Sequence, residues 1–567
     1  MVLNINVKHM IGQTKKTKHL YISSFILTNT NEVKPMSRFN QNTKSKNITT
    51  NKEGSKAYNL DAETELYTLV VTSALSNKFY ESNDDRLERL RTLIHKCEPE
   101  FVAKLALYAR ESMYLRSIPL VLTVELNKYL VAVNKPRSIV TKLSQKVIKR
   151  ADELTEILAY YALSNSGNAK EVGGQTKKLA KLSKALQKGV AQAFNKFDEY
   201  QFAKYNRKQE ISLKDALFLT HAKPKDKEQA KLFKKLVEDK LEVPYTWEVE
   251  LSTAKEKGKT KTQVWEELID SKKLGYMALM RNLRNILQVN VSDEHVIKVA
   301  KTLSNEEAVK KSRQLPFRFL SAYKELKKAI GDLSSRYSYY DEEATIENKS
   351  QAGIILNALE EAIKTSIINL KGFDYDTKVL IASDVSGSMC SAVSPKSSVQ
   401  MYDIGLVLSM LLQSKCKYVT TGIFGDTFKT KTMPKDSILQ NVIDLQRIEG
   451  EVGYSTNGYK VLQYLIEKEQ VVDKVMIFTD CQMWNSESGY GYYTNDSRIP
   501  QMWNKYKQIA PEAKLYLFDL QGYGNTPLDV KQKDVYLIAG WSEKVFDVLE
   551  NIDKGQEALD TIKNQKI

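Results

Sequence analysis

The stretch Ile381-Ala-Ser-Asp384-Val-Ser386-Gly-Ser388-Met-Cys390 places a carboxylate and two hydroxyls at every second position, directly after an apolar run. In a sharp turn, alternate side chains converge on one point. Three hard oxygen donors at such a point suit Mg²⁺, with Mn²⁺ as the alternative. A metal site at the end of one strand draws its other ligands from neighbouring strand ends. The sequence offers Asp480, immediately after the run Lys474–Thr479, and Ser455 and Thr456 in a loop ahead of a helical stretch. The plain reading of these six residues is a set of polar strand caps. Their ordered spacing favours a cation site with an open coordination position.

Other chemistries fit worse. Ser386 as a nucleophile needs a base, but no histidine follows His295 and no GxSxG occurs. There is no GxxxxGK[ST] phosphate loop and no HExxH. The four cysteines, Cys97, Cys390, Cys416 and Cys481, are far apart with no CxxC pair, which fits a reducing compartment. Cys390 and Cys481 read as small packed residues, not ligands. The chain does not look like an enzyme.

The elements that must position Asp384 and Asp480 are short β-branched runs: 378–383, 418–425, 474–480, 514–520 and 534–540. Helical stretches separate them. Continuous apolar strands alternating with helices imply a parallel sheet covered on both faces, and hence a doubly wound α/β domain over 371–567. In such sheets ligands bind beyond the carboxyl ends of the strands, where Asp384 and Asp480 fall.

Residues 57–370 have a different period. Apolar residues recur every three or four positions, prolines sit between the segments, and Asp61 opens the first one. At ~40 residues per unit, an α-solenoid of about seven helix pairs would result, with a helical bundle as the alternative. Residues 1–52 look like a leader. Met36 resembles a second start, and 36–56 are polar and expected to be irregular. No run of 18 apolar residues occurs, and a cytoplasmic location is the expectation.

Charge separates the two parts. Residues 371–567 carry 22 Lys and Arg against 25 Asp and Glu, a net −3, so residues 1–370 hold +19 of a chain total of +16. A basic part joined to a near-neutral one points to a polyanion partner for the former.

Two resemblances sharpen these readings. The set Asp384, Ser386, Ser388, then Ser455 or Thr456, then Asp480 resembles the metal-ion-dependent adhesion site of a von Willebrand factor A domain. That family usually has Thr in its middle loop within a GGT-like run; either hydroxyl fits here. Further upstream, five strings occur in order: EGSKAYNLD (53–61), LALYARESMYLRSIPLVLTVEL (105–126), KYNRKQEISLKDALFLTHAKP (204–224), GYMALMRNLRNI (275–286) and KSRQLPFRFLSAYKEL (311–326). With the A domain behind them, they resemble the TROVE module of the Ro autoantigen family.

That resemblance implies an α-helical ring of HEAT-like repeats over 53–370, an α-solenoid closed by the A domain. It implies a non-catalytic, monomeric protein in a ribonucleoprotein, with no membrane role. Small structured Y-like RNA would bind the outer face, and single-stranded 3′ ends of misfolded RNA would enter a basic central hole. Lys204, Lys208 and His221 match the family's RNA-contact motif. Lys208 stands where Arg is frequent, which keeps charge but loses the fork geometry. Arg110, Arg116, Arg281, Arg284, Arg313 and Arg318 are candidates to line the hole; the rival role is internal pairing, for instance of Arg110 with Glu125. The competing function is a metal-dependent adaptor that binds a protein partner at the A-domain site from a helical platform.

Overall fold

The computed structural model describes residues 47–73, 80–165, 182–332, 345–365, 376–393, 397–488, 497–553, 555 and 559–567. The proposed second start at Met36 and the stretch before it lie outside these residues. Nine strands occur among them: β1 Ile48–Thr50, β2 Lys56–Asn59, β3 Lys378–Asp384, β4 Tyr418–Phe424, β5 Phe428–Thr430, β6 Lys474–Thr479, β7 Lys514–Asp519, β8 Asn525–Thr526 and β9 Val535–Ala539.

All five strands expected from the apolar runs are present. With β5, which no apolar run announced, they form one six-stranded sheet in the order β5-β4-β3-β6-β7-β9, parallel except for β5, which folds back on β4. The chain passes from β3 to β4 on one side and returns to β6 on the other. That reversal leaves a crevice beyond the carboxyl ends of β3 and β6. Pleating sends successive side chains to opposite faces. Val379 and Ile381 join the core shared with the helical half, while Leu380 and Ala382 join a second core. The second core is roofed by Tyr459, Leu462, Trp503 and Tyr506 from the helices Tyr459–Glu467 and Ile499–Ile509.

Eighteen α-helices precede β3 among the described residues. Neighbours stack in succession, Pro99–Glu111 on Ser117–Ala132 and Ser138–Val147, and the last of these on Lys184–Ala193. This is solenoid packing, with more and shorter helices than about seven regular pairs would need. Trp247–Ser252, Tyr276–Arg281 and Leu283–Gln288 have six residues each. Asp61 caps the first helix by accepting from Thr64 N, as its position suggested.

Both ends of the helical run pack on the α/β part. The final helices Pro316–Ala329 and Lys349–Thr365 meet the helices Met401–Lys415 and Ile438–Arg447. There Lys324 Nζ lies 2.8 Å from the fully buried Asp403 Oδ2. The first helix, Ala62–Val71, packs on β9, with the Tyr67 hydroxyl 3.2 Å from Ala539 O. Gly522 allows this approach: its φ is +64°, and a Cβ would lie 2.6 Å from Thr72 Oγ1.

The expectation of an irregular stretch over 36–56 is corrected for its described part, 47–56; residues 36–46 lie outside the described residues. β1 and β2 form an antiparallel hairpin, and β2 pairs with β8 to make a three-stranded sheet. A two-stranded hairpin of this length is marginal alone; pairing with β8 supplies the third strand.

Candidate metal centre and basic surface

Asp384 ends β3 and Asp480 follows β6, so adjacent parallel strands deliver two carboxylates to one edge. The turn after Asp384 is closed by Ser386 N, which donates to Asp384 Oδ1 at 3.0 Å. Ser386 Oγ and Ser388 Oγ lie 3.3 Å apart, and Thr479 Oγ1 donates to Asp384 Oδ2 at 2.7 Å. On the neighbouring strand, Cys481 takes φ = +63°, and Gln482 N returns to Asp480 Oδ1 at 2.9 Å.

The middle loop reaches the same edge through its backbone. Gly387 N donates to Tyr454 O at 2.9 Å, and Trp484 N donates to Thr456 O at 3.2 Å. Thr456 is buried between these two anchors, whereas Ser455 is half-buried with its amide turned to Asp426 Oδ1. The structure therefore brings Asp384, Ser386, Ser388 and Thr456 to one edge with Asp480, and places Ser455 at the rim.

The electrostatics of this edge call for positive charge. Burial pushes both carboxyls above their usual range, and the nearby Asp384 charge pushes Asp480 further. Asp480 Oδ2 is buried with no hydrogen-bond partner. An orphaned carboxylate oxygen beside a second carboxylate and two hydroxyls fits a hard divalent cation. Among the described residues, no three His, Cys, Asp or Glu side chains gather as a metal cluster, so hydroxyls must supply part of any coordination. Cys481 is fully buried and Cys390 half-buried.

Asp519 is a further acidic strand end that the sequence motifs did not single out. It ends β7, and its Oδ1 accepts from Gln521 N and Gly522 N at 2.9 and 2.7 Å, while its Oδ2 is also buried without a partner. A signal for it exists: Leu515-Tyr-Leu-Phe-Asp519 repeats the apolar-run-then-Asp pattern of Val475–Asp480.

The basic candidates divide into two groups. Arg110 is buried. Its Nη2 lies 2.8 Å from both Glu153 carboxylate oxygens, and its Nε and Nη1 donate to Val147 O and Leu115 O. Every nitrogen is engaged internally, so Arg110 belongs to the framework and not to an RNA surface. The suggested partner is corrected as well: Glu125 serves Tyr160, Arg91 and Lys128 instead. Arg116 is more exposed but pairs with Asp152 at 3.2 Å and Glu153 at 3.4 Å.

The second group presents outward-facing charge. Arg281 and Arg318 are exposed, and among the described residues neither forms an ion pair with a carboxylate. Partial desolvation and the charge of Arg281 hold the Arg318 guanidinium below its ordinary pKa, so the two cations act on each other directly. Arg318 lies over the Phe317 ring at 5.0 Å, and Arg313 lies 5.6 Å from the Tyr114 ring. Tyr114 follows the helix Pro99–Glu111, so early and late parts of the helical run meet at this arginine group. Arg284 is exposed, 3.7 Å from Glu325.

Lys204 lies on the helix Glu199–Tyr205, Lys208 in the segment that follows it, and His221 at the end of the helix Leu213–Thr220. Lys204 Nζ lies 5.6 Å from the Tyr200 ring and 5.9 Å from the Tyr205 ring. Lys208 and His221 are exposed. His221 caps its helix through the backbone, at φ = +51° with its amide donating to Phe218 O, so the imidazole is not used in the cap. The capping role and a ligand-facing side chain are thus compatible in one residue.

Comparison with known proteins agrees with both halves of this architecture. The TROVE domain family matches residues 33–239 and 238–367, and the Ro60 vWA domain family matches residues 378–552. Telomerase protein component 1 of Rattus norvegicus is 28% identical over 328 residues, covering 44% of this chain and 12% of that protein. The Mus musculus protein of the same name is 27% identical over 364 residues, covering 50% and 13%. This chain thus spans about an eighth of the length of those relatives. The crystal structure of the Deinococcus radiodurans Ro (RSR) protein superposes with a TM-score of 0.52 at 18% identity, covering 87% of this chain and all of that one.

Proposed function

Because this chain belongs to the TROVE-domain family and carries a vWA domain of the Ro60 type, we propose that it is a non-catalytic RNA-binding scaffold. The observation that carries the proposal is the half-buried Lys204 with the exposed Lys208 and His221, within residues 1–370 that carry a net charge of +19. Small structured Y-like RNA binds there by phosphate neutralisation, with the Tyr200 and Tyr205 rings beside Lys204. Arg281 and Arg318, with Arg313 and Arg284, take a single-stranded RNA end. Guanidinium groups can fork onto phosphates or stack on bases, and Arg281 and Arg318 have no acidic partner to give up among the described residues. Selection rests on RNA shape and a free 3′ end, which suits RNA quality control or a stress response in the cytoplasm.

The vWA half has a separate task. Asp384, Ser386, Ser388, Thr456 and Asp480 would hold Mg²⁺, or Mn²⁺ in its place. When bound, the cation supplies charge neutralisation and an open position for an oxygen ligand. The chain's own residues set the geometry: Thr479 and Ser386 N fix the Asp384 carboxylate, and Gln482 N fixes Asp480. The orphaned Asp480 oxygen supports this reading and keeps a metal-dependent protein contact as a second role.

The test of the RNA proposal is fluorescence anisotropy with a short hairpin carrying a single-stranded 3′ tail, at two salt concentrations. The wild type should bind with steep salt dependence. Lys204→Ala/Lys208→Ala/His221→Ala should weaken binding and flatten the log–log salt slope by about one unit for each phosphate no longer neutralised. Salt-insensitive binding, or none at low salt, removes the proposal.

A further inference from the structure

The edge that carries Asp384 and Asp480 is covered by chain from the other half of the molecule. Asn51 Nδ2 donates to Met483 O at 2.8 Å, and Lys52 N donates to Gln482 Oε1 at 2.9 Å. These two bonds pin the β1–β2 turn over the segment that follows Asp480. The Gln482 side chain is itself held by Asp480 O and Asn525 Oδ1. Tyr80 arrives from a different part of the chain. Its hydroxyl donates to the Glu53 carboxylate, and it is close enough to Ser388 for the two side chains to affect each other electrostatically. Its ring stands edge-on to Tyr523 at 5.5 Å between centroids. A carboxylate on the hairpin turn is therefore held by Tyr80 near the Asp384-Val-Ser386-Gly-Ser388 turn. An open strand-end site would leave its hydroxyls accessible, whereas here Ser386 is 1% and Ser388 4% exposed.

We infer that this centre is capped in cis. Glu53, positioned by Tyr80, occupies the approach that the carboxylate of an external protein ligand needs, and the β1–β2 turn must lift before such a partner reaches the cation. The inference rests on the metal reading of the preceding subsection. A tethered carboxylate acts at an effective concentration in the ~mM range, enough to exclude a weak acidic ligand yet displaceable by a strong one. The turn is suited to lifting. Lys52 and Gly54 are exposed, and among the described residues the turn is tied to distant chain through the side chain of Asn51, the amide of Lys52 and the Glu53–Tyr80 contact, so its release is a local opening rather than global unfolding.

The test uses the full chain with Mn²⁺ as probe. Electron paramagnetic resonance counts bound Mn²⁺, and water-proton relaxation reports solvent at the bound ion during an acetate titration. Wild type is compared with Tyr80→Phe, Glu53→Gln and Asp480→Asn, each checked by thermal melting. The expected result is a low relaxation enhancement in the wild type, unmoved by acetate. In Glu53→Gln and Tyr80→Phe the enhancement should rise about two-fold as a water position opens, and acetate should reverse the rise. If Tyr80→Phe is poorly folded, the isosteric change at the half-buried Glu53 carries the test. Wild-type Mn²⁺ that is already acetate-sensitive, with binding abolished in Asp480→Asn, keeps the metal and overturns the cap. Absence of Mn²⁺ binding in every protein removes the metal reading and the cap with it.

Discussion

The metal edge and the basic surface use charge in opposite ways. At the edge, Asp384 and Asp480 are fully enclosed, their oxygens fixed by Thr479, Ser386 N and Gln482 N, and one oxygen is left wanting a cation. On the surface, Lys208, Arg281 and Arg318 are exposed. A buried like-charged pair is costly until a specific ion arrives, so it selects one small ligand. Exposed cations cost little and attract any polyanion, so selection there must come from shape. Arg110 shows that residue type does not decide the matter: it is an arginine of the basic half treated as a buried group, fully paired.

The largest effect should come from breaking that exception. Arg110→Ala leaves Glu153 buried without its bidentate partner and should destabilise the fold by about 3–5 kcal/mol. Urea or thermal unfolding measures this. Arg281→Ala should change stability by less than about 0.5 kcal/mol, as surface substitutions do. Equal losses from the two changes would erase the distinction between framework and surface arginines.

Next in size is a sign reversal at the metal edge. Asp480→Asn removes one of two mutually repelling buried carboxylates, so in chelator it should stabilise the chain by about 1–2 kcal/mol. In saturating Mg²⁺ the order should invert, because the wild type alone gains the binding free energy. Paired melts with and without chelator show it. A variant less stable in both conditions would mean that Asp480 is a strand cap and not a ligand.

These two regions are not equally legible in the sequence. The metal edge can be read because its chemistry is local: three donors within five residues, after an apolar run. Asp519 is harder to find although its run has the same form, because no DxSxS-like turn follows it. The fate of Arg110 is hidden because its partner lies 43 residues away on another helix, and sequence spacing cannot rank Glu125 against Glu153. The β1–β2 hairpin is hidden for a related reason. Ile48-Thr-Thr and Lys56-Ala-Tyr-Asn are too short to show a period of two, and their order comes from β8, more than 400 residues later. The five parallel strands of the sheet are legible because their apolar runs are long enough to carry their own signal, whereas the three-residue edge strand β5 is not.

A smaller effect would separate the exposed arginines from one another. Arg281→Gln/Arg318→Gln should weaken binding of a single-stranded RNA by about 1–3 kcal/mol with little change in melting, because neither has a carboxylate partner to lose among the described residues. Arg116→Gln should weaken RNA binding less, since Asp152 and Glu153 already neutralise that guanidinium. Equal losses would place Arg116 on the RNA surface despite its ion pairs.

The smallest effect concerns geometry at constant charge. Lys208 is exposed and offers a point charge, which can meet one phosphate oxygen from many directions but cannot hold two in a plane. Lys208→Arg adds a fork without altering net charge, so the salt slope of RNA binding should stay the same. Affinity for a structured hairpin should rise by about two- to three-fold if Lys208 faces a phosphate, through bidentate contact. Lys204→Arg is the matched control. Lys204 is hemmed between the Tyr200 and Tyr205 rings, so a planar guanidinium there would stack on the rings instead of reaching outward, and affinity should not rise. Anisotropy titrations of both variants against one hairpin decide it. An unchanged slope with a gain only at position 208 would show that the basic surface has a directed contact within its general field. No gain at either position would leave attraction by net charge as the whole of its action.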